Sequence, residues 1–570
     1  MIAPPLAPQW IDHPRRDPER AASLALALGA PLALGHVLVQ RGIDGLEAAR
    51  RFLDPAIEDL HEPSRLLDLD RAVERIHKAI DERQCILIHG DYDVDGITST
   101  FMLYAVLRDL GARVEYRIPH RTKDGYGLSL GAIEVARTRG ADLIVTVDCG
   151  VTAVEPVAHA RALGIDTVII DHHEVPAVLP DAVAIVDPLR KGCAYPFKSL
   201  AGVGVTFKLV EALLRKRGGL DRAREFLDVV ALGTIADVVP LVGENRVMAR
   251  LGLERLNQAP RLGLRALIEV AGLSGRRISS GQVAFVLAPR INAAGRMGNA
   301  EQGLRLLLAR DAGEARVCAE SLEEDNDLRR RFDESALNEA AQRVETELDY
   351  PNCSSIMLWS ETWHPGVIGI VASRLVERFQ RPTILVSLDG DRGRGSGRSL
   401  PGLDLNQLLG RCEDLLEGFG GHAFAAGLSV RKERLPELRE RVERIAREQM
   451  SPDQWVQRIT LDAELRLGEC EFDLVEWLER LSPHGLDNPE PLFLAREVTV
   501  LHASAVGGGK HLRLSVRDAT GSAEAIGFGL GSMAPEVARA RVCDLAFVPT
   551  RNEWMGQTRM QLKVKGVRLP

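Results

Sequence analysis

The chain has 570 residues, 45% of them hydrophobic and 27% charged, so it is too long for one hydrophobic core and too apolar to be disordered. A formal net charge of -8 argues against a simple polyanion binder, although a local basic groove or bound cations can reverse the field where it counts. Eight cysteines, scattered without a CxxC pair or zinc-ligand spacing, exclude a disulfide scaffold and fit a reducing cytoplasm.

The first 20 residues lack the compact apolar core of a secretory signal. Residues 21–39 are almost continuously apolar, yet Gly29, Pro31, Gly35 and His36 interrupt them; two short buried helices, not a membrane span, are expected within an N-terminal helical segment, residues 1–60. From 85 to 188 short apolar runs alternate with helical patterns. CILIHG (85–90), VEYRIPH (114–120), DLIVTVD (142–148), DTVIID (166–171) and AVAIVD (182–187) read as strands, with helices at 98–110 and 130–138 between them. That rhythm predicts an α/β domain, residues 61–250, built on a mostly parallel sheet.

Residues 202–240 look helical, and 251–350 read as a helical connector. Its charge-rich run 315–348 is expected to be a solvated spacer, without the heptad seam of a dimer, so a monomer is favoured. SSIMLW from 354, a helix at 367–379 and TILVSL at 383–388 predict a smaller α/β domain, residues 351–450. After 450 the texture becomes ITLDAEL, REVTVLHAS, HLRLSVRD, AEAIGFG, LAFVPTR and MQLKVKGV, with one clear helix at 472–481. A small barrel at 451–570 is predicted, with an oligonucleotide-binding fold the leading choice.

Chemistry concentrates in His89-Gly-Asp91-Tyr-Asp93-Val-Asp95-Gly96, where the first strand should end. Three acidic groups within five residues are costly unless cations neutralise them, though Asp also furnishes plain solvated turns. The runs ending in Asp148 and in Asp171-His172-His173 repeat the placement, and parallel strands put their carboxyl ends on one edge of the sheet. Asp237, within GTIADVVP, adds a carboxylate in an apolar setting. Mixed His and Asp donors suit Mn²⁺ better than a soft metal, with Mg²⁺ also possible, and so many of them suggest two ions.

HGDYDVDG, VDCG, DHH and GTIADV, in that order, resemble the successive motifs of the DHH phosphoesterases. GRGSGRS (393–399) and GGHAFAAG (420–427) resemble those of the DHHA1 domain, and with PRINAAGRMG (289–298) and the barrel-like tail the pattern is similar to the RecJ-type exonucleases over about residues 40–570. The resemblance implies a parallel-sheet DHH domain, a helical spacer, a smaller DHHA1 domain and an OB-like barrel. It also implies two-metal hydrolysis of single-stranded DNA from the 5′ end, releasing 5′-mononucleotides during DNA repair and recombination, in a cleft too narrow for a duplex. By similarity Asp93, Asp95, Asp148, His172 and Asp237 are metal ligands, with Asp148 bridging; His89 is a further one. His173 faces the scissile phosphate, Asp171 orients a ligand, and Asp91 joins this catalytic set. Arg296, Ser396, Arg398 and His422 bind the substrate, the arginine offering a fork to a 5′ phosphate. A helicase and a single-strand-binding protein are the partners implied.

Read without the family, GRGSGRS is equally a flexible basic loop. Tyr92, Tyr126, Phe424 and Trp455 are candidates for base stacking. Phosphodiesterases of short oligonucleotides or cyclic dinucleotides and family II pyrophosphatases share the metal motifs but usually lack the added barrel. A non-catalytic single-strand binder would have lost acidic positions that are all filled here.

Overall fold

Strand Cys85–His89 (β1) carries no charge and is buried along its whole length, as a central strand covered on both faces must be. In the computed structural model, which describes residues 8–121, 124–217, 219–258, 260–554 and 557–570, it pairs in parallel with Arg113–Arg117 (β2) and with Leu143–Val147 (β3). Asp166–Ile170 (β4) and Ala184–Val186 (β5) extend the sheet, again in parallel, to the order β2-β1-β3-β4-β5. The chain reverses its direction of travel between β1 and β3. At such a switch point the crossover helices leave on opposite faces and open a crevice at the carboxyl edge.

The chain divides into two units. The larger holds residues 11–289, 301–319 and 460–570; the smaller holds 290–300 and 320–459, with residues 8–10. Besides the parallel sheet, the larger unit contains a barrel. Phe493–Val506 (β12), His511–Arg517 (β13), Ser522–Gly527 (β14), Val542–Trp554 (β15) and Gln557–Arg568 (β16) close on themselves because β12 pairs with β15, and Ala463–Glu464 (β11) adds to β12 in parallel. The expected helix is present at Phe472–Glu479, and a second, Ala534–Ala540, was not foreseen.

Helices Pro18–Leu28 and Leu32–Gln40 are the two short helices expected at 21–39. They meet at 119°, and no single helix among the described residues is long and apolar enough to cross a membrane. Leu24, Leu34, Val37 and Leu38 are buried in one cluster with Leu465, Phe493, Leu514 and Phe547, so the N-terminal helices belong to the barrel's core. All eight cysteines are buried and free.

In the smaller unit Ile356–Ser360 (β6), Thr383–Asp389 (β7), Arg392–Arg398 (β8), Leu416–Gly421 (β9) and Ala425–Arg431 (β10) form a mixed sheet in the order β9-β10-β8-β7-β6. GRGSGRS is therefore a central strand and not a loop. Its glycines alternate with polar residues, and a Cβ on Gly393, Gly395 or Gly397 would lie 2.6–2.7 Å from Val386, Leu428 or Leu405. One face packs on the apolar core; the other presents Arg394, Ser396 and Arg398.

The charged helix Ala312–Glu347 also departs from expectation. Ala336, Ala340, Ala341 and Val344 are buried with Ile356, Leu358, Val371 and Leu375, so its second half is core and not a solvated spacer. A narrow stripe of alanines has little hydropathy but permits close approach, which hides it among charges.

Candidate metal centre and phosphate site

The carboxyl ends of β1, β3 and β4 stand side by side, His89 opposite Thr146 and Val147 opposite Ile170. Beyond them Asp93 caps helix Val94–Asp109, its carboxylate accepting the Gly96 N–H at 3.1 Å. Asp95, in the first turn, accepts the N–H groups of Gly202 and Val203, both at 2.7 Å. Asp148 follows β3 with φ of 62°, and Val238, next to Asp237, has φ of 61°. Left-handed backbone at non-glycine residues is costly, most of all for a β-branched one, and collects where side-chain placement is under functional constraint.

Three groups of donors lie within 4.8 Å of one another: Asp91, Asp93 and Asp148; Asp95, His172 and Asp237; and Asp148, His172 and His173. Asp148 belongs to two of these groups, as does His172, and their Oδ1 and Nε2 atoms are 3.1 Å apart. Burial, reinforced by neighbouring carboxylates, pushes Asp91, Asp148 and Asp237 well above the usual carboxylate range. Burial also raises Asp95 to about 7, with the Asp93 charge adding to it, against the pull of its two N–H donors. Burial and His173 hold His172 down at about 4.

Asp171 differs from these. Its oxygens accept the Val151 N–H at 2.9 Å, the His172 N–H at 2.8 Å and His173 Nδ1 at 2.7 Å. Burial opposes its ionisation, but the bonds from His173 and Val151 outweigh that and lower its pKa. Burial likewise pulls His173 down, yet the bond and charge of Asp171 win and raise it to about 8. The Tyr126 hydroxyl lies 3.1 Å from the His173 ring.

The residues fit divalent cations. Asp91 Oδ1, Asp148 Oδ1 and His172 Nε2 are buried without hydrogen-bond partners, a costly state that a cation removes, and oxygen donors with one imidazole suit Mn²⁺ or Mg²⁺. His89 is the exception. Its Nε2 lies 3.2 Å from the Gly127 carbonyl and it joins none of the three groups, although its Nδ1 is also buried without a hydrogen-bond partner.

The smaller unit gathers three of the four predicted substrate residues around one turn. Arg296 Nη1 donates to the Gly366 carbonyl at 3.0 Å, and Arg398 Nη1 donates to Ser396 Oγ at 3.0 Å. Gly369, in the first turn of helix Ile368–Phe379, packs so closely that a Cβ would lie 2.9 Å from Ser396 Oγ and 3.0 Å from Arg398 Nη2. His422 is exposed beside Ala425, which pairs with Arg398. The only signal of the Gly366 turn in the sequence is the Pro-Gly of WHPGVIG. Of the stacking candidates, Tyr126 and Phe424 are exposed, whereas Trp455 lies under the Arg381 guanidinium at 3.9 Å against the apolar core and is no platform.

The chain resembles known proteins along most of its length. Residues 85–234 match the profile described as DHH family, N-terminal domain, residues 352–448 the DHHA1 domain, and residues 461–566 the RecJ OB domain. The single-stranded-DNA-specific exonuclease RecJ of Bacillus subtilis is 38% identical, over 97% of this chain and 70% of its own length. The Escherichia coli protein of the same name is 35% identical, over 98% of this chain and 99% of its own. The crystal structure of Thermus thermophilus RecJ in complex with Mn²⁺ superposes with a TM-score of 0.85 at 32% identity, covering 99% of this chain and 80% of that one; the Mg²⁺ complex gives 0.79. With a parallel sheet, a DHHA1 domain and a closed barrel in the same order along its length, the chain belongs to the RecJ family.

Proposed function

We propose that the protein is a divalent-metal-dependent exonuclease specific for single-stranded DNA, which works from the 5′ end and releases 5′-mononucleotides. The observation that carries this reading is the set of overlapping donor groups with buried atoms that lack hydrogen-bond partners, in a chain whose 35–38% identical relatives are named single-stranded-DNA-specific exonucleases. Asp91, Asp93, Asp95, Asp148, His172 and Asp237 would hold the cations, Asp148 belonging to two of the donor groups. Two such ions, Mn²⁺ or Mg²⁺, supply an activated water and neutralise the charge that develops on the phosphate.

The protein's own groups do the positioning. Asp171 fixes the His173 ring through Nδ1. Held in this way, the His173 ring is placed to offer a hydrogen bond to the scissile phosphate. Arg296, Ser396 and Arg398, beside the positive end of helix Ile368–Phe379, take the terminal phosphate, with His422 next to them; this grip accounts for the choice of end. The barrel holds the strand, which favours a polymer over the short oligonucleotides and cyclic dinucleotides of the rival reading. Because the substrate is one strand, a helicase must open a duplex first and a single-strand-binding protein covers the product, and eight free buried thiols suit work in the cytoplasm, as a monomer.

The test is digestion of a single-stranded oligonucleotide labelled at either end, with Mn²⁺, with Mg²⁺ and with chelator, beside a blunt duplex. Metal-dependent release of mononucleotides from the 5′ end of the single strand alone is expected. Binding without cleavage would favour a non-catalytic relative, and activity confined to dinucleotides would favour the rival reading.

A further inference from the structure

Glu244, Asn245 and Arg246 are three consecutive buried polar residues at the start of helix Gly243–Gln258, and each reaches a different part of the larger unit. Glu244 accepts the His61 N–H and the Tyr195 hydroxyl and pairs with Lys208 at 3.0 Å. Arg246 donates to the carbonyls of Phe52, Arg480 and Leu481. Asn245, fully buried, donates from Nδ2 to the Ser199 carbonyl at 2.5 Å and to the Pro240 carbonyl at 3.1 Å.

The two carbonyls that Asn245 joins lie on the two loops that shape the metal centre. Immediately after Ser199, the Leu200 backbone is hydrogen-bonded to His172, and the Gly202 and Val203 N–H groups clamp Asp95. Gly202 also packs on Asp148, where a Cβ would be 2.5 Å from Oδ1. Pro240 closes the loop that carries Asp237 and the left-handed Val238. One side-chain amide thus ties the loop that seats Asp95, Asp148 and His172 to the loop that seats Asp237.

We infer that Asn245 is a positioning residue for the metal centre: by bridging Ser199 and Pro240 it holds the donors of both loops at the separation that divalent cations require. The inference rests on the metal reading above. Residues that orient ligands from outside the coordination sphere typically contribute about 10- to 100-fold in metal affinity.

The experiment is Mn²⁺ titration of the protein by calorimetry, well below the melting temperature, on wild type, Asn245→Ala, Asn245→Ser and Gln40→Leu. Gln40→Leu removes a buried hydrogen bond, from Gln40 Nε2 to the Asp462 carbonyl, without touching either loop and controls for lost stability. Asn245→Ala is expected to weaken Mn²⁺ binding about 10- to 100-fold, with cleavage restored at saturating Mn²⁺. Asn245→Ser, whose hydroxyl can keep one carbonyl bond, should fall between it and wild type and serves alone if Ala does not fold. Gln40→Leu should melt lower with unchanged Mn²⁺ affinity. Wild-type affinity in a folded Asn245 variant, or an equal loss in Gln40→Leu, overturns the inference while leaving the metal reading intact. Absence of Mn²⁺ binding by wild type removes both.

Discussion

Asp148 concentrates the site's electrostatic cost in one side chain: it is buried, on a left-handed backbone, surrounded by Asp95, Asp93, Asp237 and Asp91, and its Oδ1 lies 3.1 Å from His172 Nε2 without making a hydrogen bond. Asp148→Ala should lower cleavage by more than the roughly hundredfold typical of a residue that only orients a ligand. Binding to a single strand should survive, and Mn²⁺ should no longer raise the melting temperature; near-normal turnover would exclude Asp148 from the centre. Arg296 is a different case, since it already holds the Gly366 carbonyl. Arg296→Ala should erase a preference for 5′-phosphorylated over 5′-hydroxyl ends, worth about 10- to 100-fold for a charge-assisted pair. Competition between the two substrates measures this, and a preference that survives in a folded variant moves the phosphate grip elsewhere.

At the scale of elements, helix Gly202–Arg215 works through its first turn, where two backbone N–H groups meet Asp95 and the bare Cα of Gly202 lies against Asp148. Alanine favours a helix over glycine by about 1 kcal/mol, so Gly202→Ala should leave the fold intact. The added methyl must displace the Asp148 carboxylate, and Mn²⁺ affinity should fall about 10- to 100-fold. Unchanged affinity would mean that the turn yields instead. Strand β8 makes a comparable argument from shape: its alternate glycines admit Val386, Leu405 and Leu428 on one side, so that Ser396 and Arg398 project together on the other.

Across the larger unit, the segment from Leu481 to Asn488 joins the catalytic sheet to the barrel. The Leu241 N–H donates to the Leu486 carbonyl, Arg250 to Ser482 and Ser280 to His484. His484 is half-buried here, and desolvation, with Arg41 next, lowers its pKa from 6.5 to about 4. The unfolded chain therefore takes up this proton near pH 6.5 and the folded one only near 4. The stability contribution is intact above pH 6.5 and is lost as pH falls toward 4, by up to about 3 kcal/mol. Denaturant unfolding of His484→Gln should depend less on pH than wild type between 6.5 and 4; parallel curves would show that His484 is protonated in the native state.

The sequence by itself determined the α/β order, the strand ends that carry Asp91, Asp148, Asp171, His172 and His173, and the barrel. These follow from local patterning, and parallel strands bring their carboxyl ends together whatever else the chain does. Only the tertiary structure decided that His89 turns to the Gly127 carbonyl, that Trp455 lies under Arg381, and that GRGSGRS is a central strand. It also decided that the N-terminal helices enter the barrel's core and that Asn245 spans two loops. Several of these depend on a distant partner, 38 residues away for His89 and 46 for Asn245 and Ser199, and local periodicity carries no information about which distant carbonyl or apolar face a buried group will meet.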